Sequence, residues 1–140
     1  MSRYGMTFAK KHIEEGDFDE ALRITTEEID AGTASPETFV DRAVALDLLE
    51  HHTDAARDFE RALELDRTAH ELIVDDVDDA YFSALVSAAE KLATSSVPDA
   101  VTLLDGYAKF LPEGRHRVEA EEWKRRGRGE LKTLLDKTKH

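Results

Sequence analysis

The chain of 140 residues contains no cysteine. That excludes a disulfide framework and a thiolate zinc site. No apolar run approaches the ~18 residues that a membrane span requires. Met1 to Lys11 holds neither an uninterrupted apolar stretch nor a small-residue cleavage site, so no signal peptide is expected. A cytoplasmic protein is the default expectation. No glycine-rich phosphate loop is present: Gly127-Arg128-Gly129 falls in a basic helical stretch without strand–turn–helix context. No serine or threonine has a recognisable base partner. The chain is therefore not expected to be an enzyme, and no cofactor is expected.

Histidine and aspartate clusters are weak as metal signals. His51-His52 falls at a turn, where with Asp54 and Asp58 it could at most hold a stray divalent ion. Asp75, Asp76, Asp78 and Asp79 lack the glycine and spacing of a calcium loop. They read as a solvated acidic helix start. No metal is expected.

Charge is plentiful and uneven. The chain is 41% hydrophobic, enough for a core, and 36% charged, with a net charge of −12. Residues 1–112 carry −15, whereas residues 113–140 hold 9 bases against 6 acids, net +3. An acidic body repels phosphate, so nucleic acid is not the expected ligand. Lys124, Arg125 and Arg126 are adjacent bases with Arg128 close by, but Glu119, Glu121 and Glu122 stand one turn before them and can pair with them.

The patterning predicts helices throughout. A first helix is expected over about 2–15, stopped by Gly16. Asp17 caps the next, with Glu20 three residues later completing a capping box; it runs over about 18–31. Ser35-Pro36 reads as an N-cap followed by a first-turn proline for a helix to about Glu50. Thr53 is expected to cap a fourth helix ending near Asp66. A fifth, about 79–94, carries Leu85, Ala88, Ala89 and Leu92 at helical spacing. Pro98 opens a sixth, which buries Val101, Leu104 and Tyr107 and ends at Pro112. A last helix, about 115–137, sets Ala120, Trp123, Gly127, Leu131 and Leu134 on one apolar stripe. Gly127 on that stripe implies close packing, and Gly129 faces water and can bend the helix.

The motif Gly16-Asp17-Phe18-Asp19-Glu20-Ala21 recurs in degraded form 34 residues on: Ala9 aligns with Ala43, Ala21 with Ala55, and Arg23 with Arg57. A turn of this kind at this period resembles the tetratricopeptide repeat. The family pattern falls on Phe8, Ala9, His12, Ala21, Thr25 and Glu28, then on Phe39, Arg42, Ala43, Leu46, Ala55, Phe59 and Ala62. A third, looser copy falls on Leu85, Ala88, Ala89, Ala100, Leu104, Tyr107 and Pro112, with an inter-helix turn about a residue shorter. Gly5, Thr25, Glu28 and Arg42 depart from the pattern. The resemblance implies an all-α fold, an antiparallel helix-pair solenoid of about seven helices. Repeats would occupy about 2–34, 36–69 and 80–112, with an insertion at 70–79, and 113–140 would form a basic capping helix. Repeats cannot bury their apolar faces alone, so such a cap is needed.

The resemblance further implies that the first helix of each repeat lines a concave groove. The residues expected to face it are Arg3, Met6, Lys10 and Ile13, then Glu37, Val40, Val44, Asp47 and Leu48, then Ser83, Val86 and Glu90. The aliphatic members make this face more apolar than a solvated one, which marks a contact surface. The alternative is a groove closed on itself by the insertion, with Leu72, Ile73 and Val74, or by the last helix. The chain has no asparagine, and Arg3 and Lys10 are the only bases in the expected groove. A carboxylate clamp of the family type is therefore not expected. The reading that emerges is a protein–protein interaction module, an adaptor or small chaperone. It would hold a basic or amphipathic segment of a partner, with no membrane or nucleic acid involved. The alternative is a self-assembling homo-oligomeric scaffold.

Overall fold

The computed structural model describes residues 8–66 and 70–139. These form seven α-helices: α1 (Phe8–Glu14), α2 (Phe18–Asp30), α3 (Pro36–Leu48), α4 (His52–Leu65), α5 (His70–Ala93), α6 (Val97–Phe110) and α7 (Arg117–Lys139). No strand occurs among the described residues. None of these helices is long and apolar enough to cross a membrane. The chain divides into two compact units, Met1–Val77 and Asp78–His140, with the boundary inside α5. Residues 70–79, where an insertion is expected, lie within α5.

In the first unit α1 packs on α2 and α3, α2 on α3, and α3 on α4. The turns that set this order are local. Gly16 adopts φ 81°, and the chain closes on α1 through Gly16 N–H to Ile13 C=O at 3.1 Å and Asp17 N–H to His12 C=O at 2.8 Å. Asp17 then caps α2 by accepting from the Glu20 N–H. The same backbone recurs 34 residues on. Glu50 adopts φ 66°, Glu50 N–H reaches Asp47 C=O at 3.0 Å, and His51 N–H reaches Leu46 C=O at 2.8 Å. The N-cap residues match as well: φ −96° and ψ 71° at Asp17, φ −95° and ψ 64° at His51. His51 and not Thr53 is thus the N-cap of α4, and it makes no side-chain capping bond. The third turn differs. Ser96 caps α6 by accepting from the Asp99 N–H, and no residue of the turn is left-handed.

Small residues mark the close approaches between helices. Ala9, Ala43 and Ala89, and Ala21, Ala55 and Ala100, are all buried. Ala9, Ala21 and Ala45 form one cluster, against which Ile13 and Ile24 pack. Thr25, Glu28 and Arg42, which do not fit the expected pattern, each have polar partners. Thr25 is buried and donates to the Ala21 and Leu22 carbonyls. Glu28 accepts from the Thr38 hydroxyl at 2.8 Å. Arg42 holds Asp58 with two hydrogen bonds of 2.7 and 3.0 Å. That contact raises the Arg42 pKa and pairs a buried carboxylate. Phe8 does not pack as the pattern implies: it is 80% exposed. Gly5 lies outside the described residues.

In the second unit α7 lies on α6. Ala120, Trp123, Gly127, Leu131 and Leu134 are buried as one stripe, joined by Leu135. A Cβ at Gly127 would stand 3.2 Å from Val101 Cγ2, so α6 and α7 touch where glycine allows it. Helix α7 bends at Glu130 (φ −130°, ψ 22°), next to the exposed Gly129.

Candidate functional site

Two surfaces could hold a ligand, one in each unit. On the first, Val40, Val44 and Leu48 follow one another at four-residue spacing along α3, forming a single stripe. Val40 and Val44 are half-buried, and Leu48 is 50% exposed. Lys10 and Ile13 of α1 are also half-buried, with Ile13 leaning on the alanine cluster. Glu37 accepts from the Ser35 hydroxyl, and Asp47 pairs with His52 at 2.5 Å. Arg3 and Met6 lie outside the described residues, as do the side chains of Leu72, Ile73 and Val74. Val86 belongs to the second unit, where it is only 7% exposed. Ser83 is exposed and Glu90 half-buried there.

The second surface is built around a buried junction. Asp78, from the acidic run expected to be solvated, is 1% exposed. One of its oxygens accepts from the Tyr107 hydroxyl, and the other accepts from the Arg115 N–H at 2.9 Å. The Tyr107 oxygen in turn accepts from the His116 N–H at 2.9 Å. Burial, then the Asp78 contact, pushes the Tyr107 phenol above its usual range. These bonds tie the segment between α6 and α7 to α5, which explains why α7 begins at Arg117 and not at Arg115. Asp79 faces outward and meets His116 Nε2 at 2.8 Å and the Arg115 guanidinium at 3.2 Å. The His116 bond, then the Arg115 charge, holds its carboxyl below the ordinary carboxylate value.

Asp78, Asp79 and His116 are the one group with metal-ligand spacing among the described residues. The carboxylate oxygens of Asp78 and Asp79 already accept from Tyr107, Arg115 and the His116 ring, so the group reads as a hydrogen-bond junction. His51, His52, Asp54 and Asp58 are not brought together. Asp58 belongs to Arg42, and His52 to Asp47.

Aromatic rings stack beside the junction. Phe82 stacks nearly parallel to both His116 (ring centroids 3.8 Å apart) and Trp123 (5.1 Å). Tyr107 meets Phe82 edge-on at 5.7 Å. Next to this stack opens a hollow of about 430 Å³, with Phe82, Trp123 and Leu134 in its lining and Glu119, Glu122 and Lys137 around them. Both arms of α7 contribute, although a straight helix would hold Glu119 and Lys137 ~27 Å apart at 1.5 Å per residue. The bend at Glu130 therefore turns the second arm back toward the first. Arg126 braces the bend by pairing with Glu122 and Glu130.

Sequence reasoning missed this second surface. Asp78 bonds to residues 29 and 37 positions away, and no local pattern announces such partners. The one available signal was Pro112 followed closely by Gly114. A Cβ at Gly114 would sit 2.1 Å from the Tyr107 oxygen, so glycine is required there for space. No protein-family model matches the chain and no solved structure matches it, so its function is read from these residues alone.

Proposed function

We propose that the chain is a protein–protein interaction module. It binds a basic or amphipathic segment of a partner protein along the α1 and α3 face. The stripe Val40, Val44 and Leu48 carries this reading: it is aliphatic, continuous and only partly covered. An amphipathic helix or an extended peptide suits such a face. A tetratricopeptide-like solenoid is part of the proposal. The recurrence of the α1–α2 turn at α3–α4, the six buried alanines and the contact of α1 with α3 support it. The acidic body favours a partner of opposite sign. The reading places the protein in the cytoplasm and gives it no catalytic role.

The test is capture by the immobilised protein beside its Val40→Asp/Val44→Asp variant. A partner retained by the parent and lost by a variant of unchanged helical circular dichroism supports the face. Equal capture by both removes it. One observation favours self-assembly instead: Lys124, Arg125 and Arg128 are exposed on α7, while the rest of the chain is acidic. Light scattering at low and high salt separates the readings, since a dimer held by these charges dissociates as salt screens them.

A further inference from the structure

Among the described residues the large hydrophobic side chains most open to water are Phe8 on α1, 80% exposed, and Val118 on α7, 67% exposed. Each stands among charges that lack partners, and the two sets of charges have opposite sign.

Val118 lines a cleft of about 540 Å³ between the end of α6 and the start of α7. Ala108, Pro112, Arg117 and Arg125 line it too, and all are exposed, so its walls are open to an incoming surface. Glu121 and Glu122 complete the lining, but Glu122 is held by Arg126. Lys124 and Arg128, seven and eleven residues beyond Arg117, continue the basic side of α7. Lys124, Arg125 and Arg128 have no ion-pair partner among the described residues. Lys124 and Arg128 stand four residues apart, a spacing at which like charges destabilise a helix. A negative counter-surface relieves that repulsion.

The chain carries such a surface at the α1–α2 turn. Glu15, seven residues after Phe8, falls on the same side of α1, away from the inward side of Ala9 and Ile13. Glu14, Glu15, Asp17 and Asp19 are all exposed, against one exposed base, Lys11. Glu14, Glu15 and Asp19 have no ion-pair partner among the described residues. An exposed ring beside carboxylates thus matches an exposed aliphatic cleft beside guanidinium groups. Apolar contact at the centre with arginine–carboxylate pairs around it is the ordinary make-up of an interface.

We propose that the α6–α7 cleft of one molecule receives the α1–α2 turn of a second copy. Phe8 rests on Pro112 and Val118, and Glu14 and Glu15 face Arg117 and Arg125. The inference rests on the self-assembly reading, to which it gives two named faces, and it leaves the Val40, Val44 and Leu48 stripe uncovered. Because the two faces differ, one contact leaves a free turn on one copy and a free cleft on the other.

Sedimentation of the full chain over a concentration series, at low and high salt, tests this. The sedimentation coefficient is expected to rise with concentration at low salt and to lose that rise at high salt. Two variants divide the contact: Val118→Ser/Arg125→Gln spoils the cleft, and Phe8→Ser/Glu15→Gln spoils the turn. All four positions are exposed, and circular dichroism confirms each fold. Each variant alone is expected to associate at least about tenfold more weakly than the parent. Mixed in equal amounts, they retain one sound cleft and one sound turn between them. Pairs then form again with near-parental affinity and grow no further.

Parent-like association by either variant alone overturns the inference, as does failure of the mixture to pair or association undiminished by salt. Association abolished by Val40→Asp/Val44→Asp and untouched in the other two variants moves the contact to α3; self-assembly then stands and the cleft falls. A parent that stays monomeric throughout overturns the cleft and self-assembly together, and leaves partner binding along α1 and α3 to its own capture test.

Discussion

Replacing Gly114 by alanine tests the junction most sharply. The backbone at this position is not left-handed, so alanine meets no conformational barrier. The obstacle is space. The new Cβ would stand 2.1 Å from the Tyr107 oxygen and 2.8 Å from its ring carbon, where ordinary contact begins at 3.4 Å. Tyr107 must withdraw by more than its two hydrogen bonds can stretch. Overpacking of this kind costs about 1–3 kcal/mol. Leaving the buried Asp78 carboxylate short of a donor costs a further ~1–3 kcal/mol. The expected loss is about 2–6 kcal/mol, a large share of the roughly 5–15 kcal/mol typical of a whole domain.

Urea unfolding followed by Trp123 emission reads this loss, because Trp123 lies in the same unit as the junction. The double variant Gly114→Ala/Tyr107→Phe makes the reasoning specific. Tyr107→Phe alone costs about 1–3 kcal/mol through its missing hydroxyl. It also removes the atom that clashes most, so the two costs are expected to fall short of additivity by ~1 kcal/mol or more. Strictly additive costs would refute the steric account. So would a Gly114→Ala variant within ~0.5 kcal/mol of the parent, the range of a neutral surface change.

Three further outcomes are expected. Arg42→Leu leaves Asp58 buried and unpaired and destabilises by about 3 kcal/mol, whereas Arg42→Leu/Asp58→Leu recovers most of that loss, measured by circular dichroism during denaturation. Glu50→Gly raises stability by roughly 1 kcal/mol, because glycine takes the left-handed φ of 66° without the Cβ penalty; an unchanged unfolding midpoint would count against it. Asp79 has a depressed folded-state pKa, so its contribution is present above the ordinary carboxylate value of 3.8 and is lost as pH falls through its folded value. Asp79 is mostly exposed, so Asp79→Asn is expected to differ from the parent by only ~0.2–1 kcal/mol at neutral pH and to match it in strong acid.

What could be read from the sequence was whatever depends on neighbours within a few turns. Gly16, Asp17, Ser35-Pro36 and Pro98 mark helix ends through capping chemistry that acts over three or four residues. The alanines and the α7 stripe follow from periodicity alone. The acid run at 75–79 defeated the same logic. Local composition says that such residues face water, and Asp78 is turned inward only because Tyr107 and the Arg115 N–H wait for it. Arg42 looked like a departure from the repeat pattern, and its bond to Asp58, sixteen residues away, was not visible in that pattern. The hollow could not be foreseen, because it depends on a bend at Glu130 that brings distant parts of one helix together. Of the α1 and α3 face, the spacing of Val40, Val44 and Leu48 was visible, whereas the pairing of Asp47 with His52 was not.

The Tyr107 hydroxyl has a consequence for observation. It gives its proton to Asp78 and receives one from the His116 amide, so its rotor has a single orientation. Phenolic protons ordinarily exchange with water too fast to be followed, but this one leaves only when the junction opens. A nuclear magnetic resonance signal from that proton would therefore act as a clock. Its exchange rate would count the openings of one hydrogen-bonded knot, separately from the unfolding of the helices around it.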